Sequence, residues 1–381
     1  MNLLVISHTP HYRMGTQVVG WGPTVKEIDQ LARLFDEIRH IAVLYQDDAP
    51  LSSMAYSANN IVFVPVQPSG GETFKDKLGI FRAYVNYWKI IRQEINRLGN
   101  EDILHVRCPT NISLLALIML IFTQKASFRW IKYAGNWQPI GKDPFSYSLQ
   151  RWMLRLNLPR SMVTVNGKWS GQPRHVLSFH NPSLSESSHR KIVERRLAEP
   201  YRLLFAGNIN EGKGAARAVE VVLQLLGSGL PVEMDVFGDG ELRIQLEELV
   251  ERSKQNDHFR FHGWRTHEEL LPFYGDMHFV LLPSRTEGWP KVLSEAMAYG
   301  VVPLAGAVSA IPQVLEECKT GTVLDPLDVQ GFVDAVRSYI NDPERWAVES
   351  WAAQEAAQKF TYEAYLEKLT AMISEKWQIE L

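Results

Sequence analysis

From Arg202 onward the chain alternates short apolar, β-branched runs with stretches of helical period, and glycines punctuate the joins. Arg202–Ala206, Val232–Phe237, Phe259–His262 and Phe279–Pro283 read as strands. Ala215–Leu226, Glu241–Ser253, His267–Tyr274 and Pro290–Tyr299 read as the helices between and after them. Val301–Ala305, Ile311–Glu317, Thr322–Leu324 and Val329–Ile340 continue the alternation. Gly207, Gly238, Gly240, Gly263 and Gly300 stand where strands or helices should end. A chain of this pattern buries its apolar residues as a mostly parallel sheet with helices on both faces.

The first half follows the same scheme less regularly. Its strand-like runs are Leu3–Ser7, Ile41–Tyr45, Ile61–Val66, Ile103–Arg107, Phe128–Tyr133, Met162–Val165 and Val176–Phe179. Two helix-period stretches are clear. Pro23–Phe35 places Val25, Ile28, Leu31, Ala32 and Phe35 on one face, and Phe81–Leu98 does the same with Phe81, Val85, Trp88, Ile91 and Ile95. At 381 residues the chain is too long for one ordinary domain and fits two. The expected architecture is α/β: two doubly wound, Rossmann-like domains facing across a cleft. Residues 1–183 form the first and 201–360 the second, and 184–200, polar and ending in Pro200, has the composition of a linker. Tyr365, Leu369, Met372 and Ile373 recur at helical spacing, so 361–381 is expected to form a last helix that returns to the first domain. Ligands of such sheets bind at the carboxyl ends of the strands.

Charge is unevenly divided. Residues 1–198 hold 24 Lys and Arg against 14 Asp and Glu, an excess of ten cations, whereas 199–381 hold 16 against 29. The basic half suits an anionic membrane or an anionic acceptor; no nucleic-acid motif accompanies it. The amphipathic, basic stretch Gln150–Arg160 is one place where an anionic membrane could be met, and a partly buried surface helix is the other reading. The longest apolar run, Leu114–Phe122, has nine residues, fewer than half of the ~20 that span a bilayer, and reads as a core helix. Met1–Ser7 has no basic leader region, and two cysteines, Cys108 and Cys318, make no disulfide framework. A cytoplasmic protein, peripheral on the inner face of a membrane, is the expectation.

The densest chemistry lies in Pro283–Gly300, PSRTEGWPKVLSEAMAYG, between an apolar strand and a helix. Pro290 suits the first helical position, because its missing N–H would have no intrahelical partner there. The amides of Lys291, Val292 and Leu293 would then be donors for a phosphate at the positive end of the helix dipole, with the Lys291 charge beside them. Glu287 precedes this turn and Glu295 follows it. With a diphosphate at the helix end, Glu295 is placed to reach a ribose, and Glu287 lies on the side of the sugar that the diphosphate carries.

Glu287 and Glu295 form E-x7-E, and EGWPKVLSEAMAYGVVP resembles the signature of the retaining family 4 glycosyltransferases (glycosyl transferases group 1), which have the GT-B fold. LLFAGNINEGKG (203–214), VFGDGELRIQLEEL (236–249), the stretch 261–288 and IPQVLEECKTGTVLDPLD (311–328) are similar to successive segments of the same family. The resemblance implies transfer of a sugar from a nucleotide-diphosphate donor to a saccharide or lipid-linked acceptor, with retention. The donor would bind the second domain and the acceptor the first. It implies that Glu287 holds the donor sugar and stabilises an oxocarbenium-like transition state, that Glu295 binds the ribose, and that Lys213 neutralises the departing diphosphate. Gly207, Trp264, Lys291 and Val292 complete the donor side. Where the family has an arginine after Gly207, this chain has Asn208, which can donate to a phosphate oxygen but carries no charge; Arg285 and Lys291 are the candidates to compensate. No D-x-D motif or grouped His/Asp set calls for a metal, and no cofactor beyond the nucleotide sugar is implied.

In the first half, Gly22 of Gly20-Trp21-Gly22-Pro23 stands where the family brings backbone close to the donor phosphates. The family's histidine after a central strand is replaced here by Tyr133-Ala134-Gly135-Asn136-Trp137, so Tyr133, Asn136 and Trp137 are the acceptor-side candidates, with His11 after the first strand. Two other functions fit the same fold: a non-catalytic partner subunit and a nucleotide-sugar epimerase.

Overall fold

The computed structural model describes residues 1–69, 74–139, 141, 143–185 and 192–380, with the side chains of 74–82 left aside. Part of the expected linker, 186–191, lies outside the described residues. Two compact units are present. One comprises Met1–Phe179 with Leu366–Leu381, the other His180–Tyr365.

In the first unit the strands are β1 (Asn2–Met14), β2 (Gln17–Trp21), β3 (Glu37–Leu44), β4 (Ser53–Ala55), β5 (Ile61–Val66), β6 (Ile103–Cys108), β7 (Phe128–Tyr133), β8 (Met162–Val165) and β9 (Val176–Ser178). Seven run parallel in the order β5-β3-β1-β6-β7-β8-β9. The far end of β1 does not stop at Ser7, as expected from sequence. It continues to Met14 and pairs antiparallel with β2, which pairs with β4. The helices are α1 (Gly22–Leu31), α2 (Phe74–Arg97), α3 (Asn111–Phe122) and α4 (Phe145–Arg155).

Strand alternation sends Leu4, Ile6, Ile41, Val43, Leu104, Val106 and Ile131 into an apolar core under α2, α3 and α4. The inward face of α2 is Ala83, Tyr87, Ile91 and Ile95, with the Tyr87 hydroxyl donating to Gln67 O at 2.7 Å. Val85 and Trp88, expected inside, are exposed. The helix begins at Phe74, earlier than the pattern indicated, and Tyr87 sets its phase.

The second unit holds β10 (Tyr201–Ala206), β11 (Val232–Phe237), β12 (Phe259–Gly263), β13 (Phe279–Leu282), β14 (Val302–Gly306) and β15 (Thr322–Leu324). All are parallel, in the order β12-β11-β10-β13-β14-β15. The intervening helices are α5 (Ala215–Gly227), α6 (Arg243–Arg252), α7 (His267–Tyr274), α8 (Lys291–Ala298), α9 (Ile311–Cys318), α10 (Val329–Asn341) and α11 (Pro343–Ala357). Leu204, Val280 and Leu282 enter one core with α8 and α9; Leu203, Phe205, Phe279 and Leu281 enter the other with α5 and α10. Both faces are apolar at β10 and β13, whereas at β11 and β12 one face carries Asp235 paired with Arg260 and His262.

Ser183, Leu184 and Arg195 pack within this unit. Arg195 donates to the carbonyls of Tyr299, Gly275 and Met277. The last helix, α12 (Tyr362–Trp377), begins in the second unit and from Leu366 belongs to the first.

Candidate functional site

The second sheet has the strand order in which connections leave β10 and β13, its two central neighbours, in opposite directions. That reversal opens a crevice at their carboxyl ends. The loops 207–214 and 283–290 emerge there. They approach so closely that a Cβ on Gly214 would sit 2.2 Å from Pro283 O, and Gly214 has φ 78°, so only glycine is at ease. Gly238, at φ 124°, lies against Gly207 O in the same way. The two loops are bonded to each other. Arg285 N donates to Gly212 O at 3.0 Å. Buried Arg217, in the first turns of α5, donates to Glu211 Oε1 (2.7 Å), Glu211 O (3.0 Å) and Pro283 O (2.9 Å). Arg217 escaped the sequence reading; its signal was a lone cation inside the apolar run Ala215–Leu226.

This frame brings Lys213 and Glu287 together. The ammonium lies 2.7 and 2.9 Å from the two carboxylate oxygens. Glu287 is 7% exposed and Lys213 35%, so the carboxylate is set into the crevice wall while its cation stays accessible. The arrangement puts one positive and one negative group within a hydrogen bond at the mouth of the switch point. A polar ligand of mixed charge can be gripped there.

Glu295 is placed differently. Nearly buried on α8, it accepts from the Tyr274 hydroxyl (3.2 Å) and lies 3.2 Å from His267 Nδ1, both on α7. Burial, with the Glu295 charge adding to it, raises the Tyr274 hydroxyl pKa far above 10 and keeps it a donor. Tyr274 and His267 were not singled out by sequence.

Pro290 is the residue before the helix and not its first, and Leu293 N donates back to Pro290 O (3.1 Å). The start of α8 is therefore Lys291 and Val292. Lys291 Nζ lies 5.9 Å over the Tyr362 ring, and Val292 packs on the core. Gly207 N donates to Phe237 O (3.0 Å), Asn208 is exposed beside Gly240, Arg285 is exposed, and Trp264 is half-buried directly after β12.

In the first unit, Tyr133 and Trp137 are buried in the apolar core, edge to face at 5.3 Å, and Arg151 donates to the Tyr133 hydroxyl. Their rings are engaged in packing and present no face for a sugar. Asn136 Oδ1 accepts from Gln138 N (3.1 Å), closing a turn. His11 is buried between Thr9 O (2.9 Å) and the Tyr56 hydroxyl (2.7 Å), and burial drives its pKa to about 4. Gly22 N donates to Ser52 O (2.9 Å), and a Cβ there would meet the same oxygen, so contact with the segment before β4 accounts for this glycine.

Two Rossmann-like units with these sheets define the GT-B fold of glycosyltransferases. Residues 188–365 match the family model described as glycosyl transferases group 1, and the resemblance read from E-x7-E is thereby supported. The chain is 30% identical over 168 residues to the amylovoran biosynthesis glycosyltransferase AmsK of Erwinia amylovora, covering 42% of this chain and 41% of that one. It is 28% identical over 208 residues to the alpha-D-kanosaminyltransferase of Streptomyces kanamyceticus, covering 53% and 54%. The chain spans about half the length of the curated relatives it matches. Among solved structures, sucrose-phosphate synthase from Thermosynechococcus elongatus shares the fold with a TM-score of 0.69 at 16% identity, covering 99% of each chain.

Proposed function

We propose that the chain transfers a sugar from a nucleotide-diphosphate donor to a saccharide or lipid-linked acceptor, with retention of configuration, in surface-polysaccharide or glycolipid assembly. The observation that carries this reading is the Lys213–Glu287 pair at the switch point, inside the segment similar to glycosyl transferases group 1. The relatives named for amylovoran biosynthesis and kanosaminyl transfer support it.

The difficult species in such a transfer is a departing diphosphate beside a developing sugar cation. A fixed charge of the right sign beside each lowers the barrier, and one lost group of this kind typically costs 10²–10³ in rate. Lys213 neutralises the diphosphate, with the start of α8 at Lys291 and Val292, Arg285, and the Gly207–Asn208 turn as further donors. No resident metal is required. Glu287 holds the sugar and offsets its positive charge. Glu295 takes the ribose hydroxyls by exchanging its bonds to Tyr274 and His267, and Trp264 stands at the base end. The acceptor binds the first unit, and the enzyme works on the cytoplasmic side as a peripheral protein.

The test is a panel of UDP-, GDP- and ADP-sugars read by thermal shift and by transfer. One donor should raise the melting temperature, and Lys213→Ala should lose that rise. Glu287→Ala should lower transfer at least ~100-fold while its melting temperature stays near that of the parent. Full transfer by Glu287→Ala would overturn the mechanism. Conversion of the nucleotide sugar with no acceptor present would replace transfer by epimerisation.

A further inference from the structure

The helical layer over one face of the first sheet has an outer surface unlike that of a layer facing water. α3 lies between α2 and α4 and carries no charged side chain; after Ser113 it is apolar throughout. Its inner positions, among them Ile112, Ala116 and Leu120, fill the core. Its outer positions are apolar as well: Phe122 is 77% exposed and Ile118 36%, with Leu114 and Ile121 half-buried beside them. A helix apolar all round belongs inside a protein or against lipid. The neighbouring helices extend the same surface. α2 turns out Val85 and Trp88, and α4 turns out Phe145, Trp152 and, at its end, Leu156.

Among the described side chains of the three helices, the exposed charges are cations. Lys89 and Arg92 on α2, Lys125 just after α3 and Arg155 on α4 are exposed. Among the described side chains of the three helices the one carboxylate is Glu94, which is buried and bonded to Arg39. Asp143, just before α4, is bonded to Arg151.

We propose that the α2–α3–α4 face docks on an anionic lipid bilayer, with Trp88, Phe122 and Trp152 seated at headgroup depth and the cations over the lipid phosphates. This locates the peripheral contact proposed above on a defined surface. Its test reads lipid binding and not transfer, so either reading can fail alone. A bilayer is favoured over a second copy of the chain because a two-fold pairing of this face would set cation against cation. No described helix is long and apolar enough to cross a membrane, so the contact is one of lying on the surface.

Flotation of the full chain with vesicles decides the matter. The parent should float with phosphatidylcholine vesicles containing phosphatidylglycerol and float far less with phosphatidylcholine alone. Phe122→Ser combined with Trp152→Ser should weaken anionic-vesicle binding at least ~10-fold. Lys89→Glu and Arg92→Glu should each weaken it about fivefold or more. Trp351→Ser, exposed on α11 of the second unit, should change nothing. Melting temperatures of all variants should match the parent, since every substituted residue is exposed. A parent that does not float with anionic vesicles, or a double variant that floats as the parent does, overturns the proposal. A dimer by light scattering that the double variant turns into monomer also overturns it, assigning the face to self-association.

Discussion

The two sheets share a strand order at their centres, yet the central strands of the first carry polar residues where β10 and β13 of the second carry none in their cores. In the second unit, alternate residues of β10 and β13 enter two dry cores, and the polar residues of the candidate site sit beyond the strand ends, Lys213 and Glu287 in loops and Glu295 on α8. In the first unit both faces of the sheet are buried, one as the apolar core beneath α2, α3 and α4 and one where Leu3, Val5 and Ile103 are interleaved with polar side chains. This second face carries His40 on β3, His105 and Arg107 on β6, Lys132 on β7 and Thr164 on β8.

These residues are partnered inside the protein. Arg107 donates to Glu27 of α1 at 2.7 Å, and Lys132 at 2.6 Å. His40 links Ser7 Oγ (2.7 Å) to the Tyr56 hydroxyl (2.6 Å), which continues to His11. Trp130 Nε1 donates to Thr164 Oγ1 (2.9 Å). Arg107, Lys132 and His40 are therefore held within the first unit, whereas Lys213 at a strand end of the second unit stays accessible beside its carboxylate. The same residue types carry different meaning according to where the strand alternation puts them.

The comparison breaks most readily at Glu27. Burial would raise its pKa, but the charges and hydrogen bonds of Arg107 and Lys132 outweigh burial and hold it well below the usual carboxylate range. Glu27→Ala leaves two cations facing an apolar site and should cost ~3–5 kcal/mol. Amide exchange should rise in β6 and β7 and remain slow in β10 and β13. A loss below ~1 kcal/mol would mean that the polar face is dispensable.

A smaller effect tests the other side. Gly214→Ala must hold alanine at φ 78° with its Cβ against Pro283 O, and should cost ~2 kcal/mol. It should also abolish the donor-induced thermal shift, because Lys213 is the adjacent residue; donor binding unchanged from the parent would show that the loop contact does not set the site.

The smallest effect is one of pH. Burial lowers His11 from 6.5 to about 4 and holds His40 and His105 well below 6.5. The unfolded chain then binds protons that the folded chain refuses, so stability should fall as pH drops below about 6.5, the His11 share continuing to about 4. Glu27 is also depressed and acts in the same direction, but its contribution is lost only below its unfolded value of 4.5, so it adds no slope between 6.5 and 4.5. His11→Gln should flatten part of the slope in urea titrations at successive pH values. An unchanged slope would move the acid sensitivity elsewhere, with His278 of the second unit, also lowered to about 4 by burial, the first candidate.

How much of this was legible depends on which physical signal carried it. The second unit's strands and helices could be read because period, glycine punctuation and apolar runs are local properties. Glu287 could be chosen because a strand–loop–helix join puts its loop at the strand ends whatever the rest of the chain does, and Lys213 because residues 203–214 resemble a segment of a known family. Tyr133, Trp137 and His11 misled because an aromatic or imidazole after a strand looks alike whether it lines a site or fills a core. The phase of α2 misled too: Val85 and Trp88 fit one helical face as well as Ala83 and Tyr87 fit another, and the packing of Ala83 and Tyr87 in the core, with the Tyr87 bond to Gln67, shows which face is inward.

By itself, then, the order of residues determined the α/β alternation, two mostly parallel sheets and the loop that holds Glu287. Tertiary structure alone decided that Lys213, 74 residues away in sequence, meets that carboxylate, that Arg217 ties the two loops, and that Glu295 turns to Tyr274 and His267. It alone left Ile118 and Phe122 of the apolar α3 exposed. The reason is physical: backbone preference and burial period act over a few residues, whereas ion pairing and exposure depend on which distant segments a sheet brings side by side.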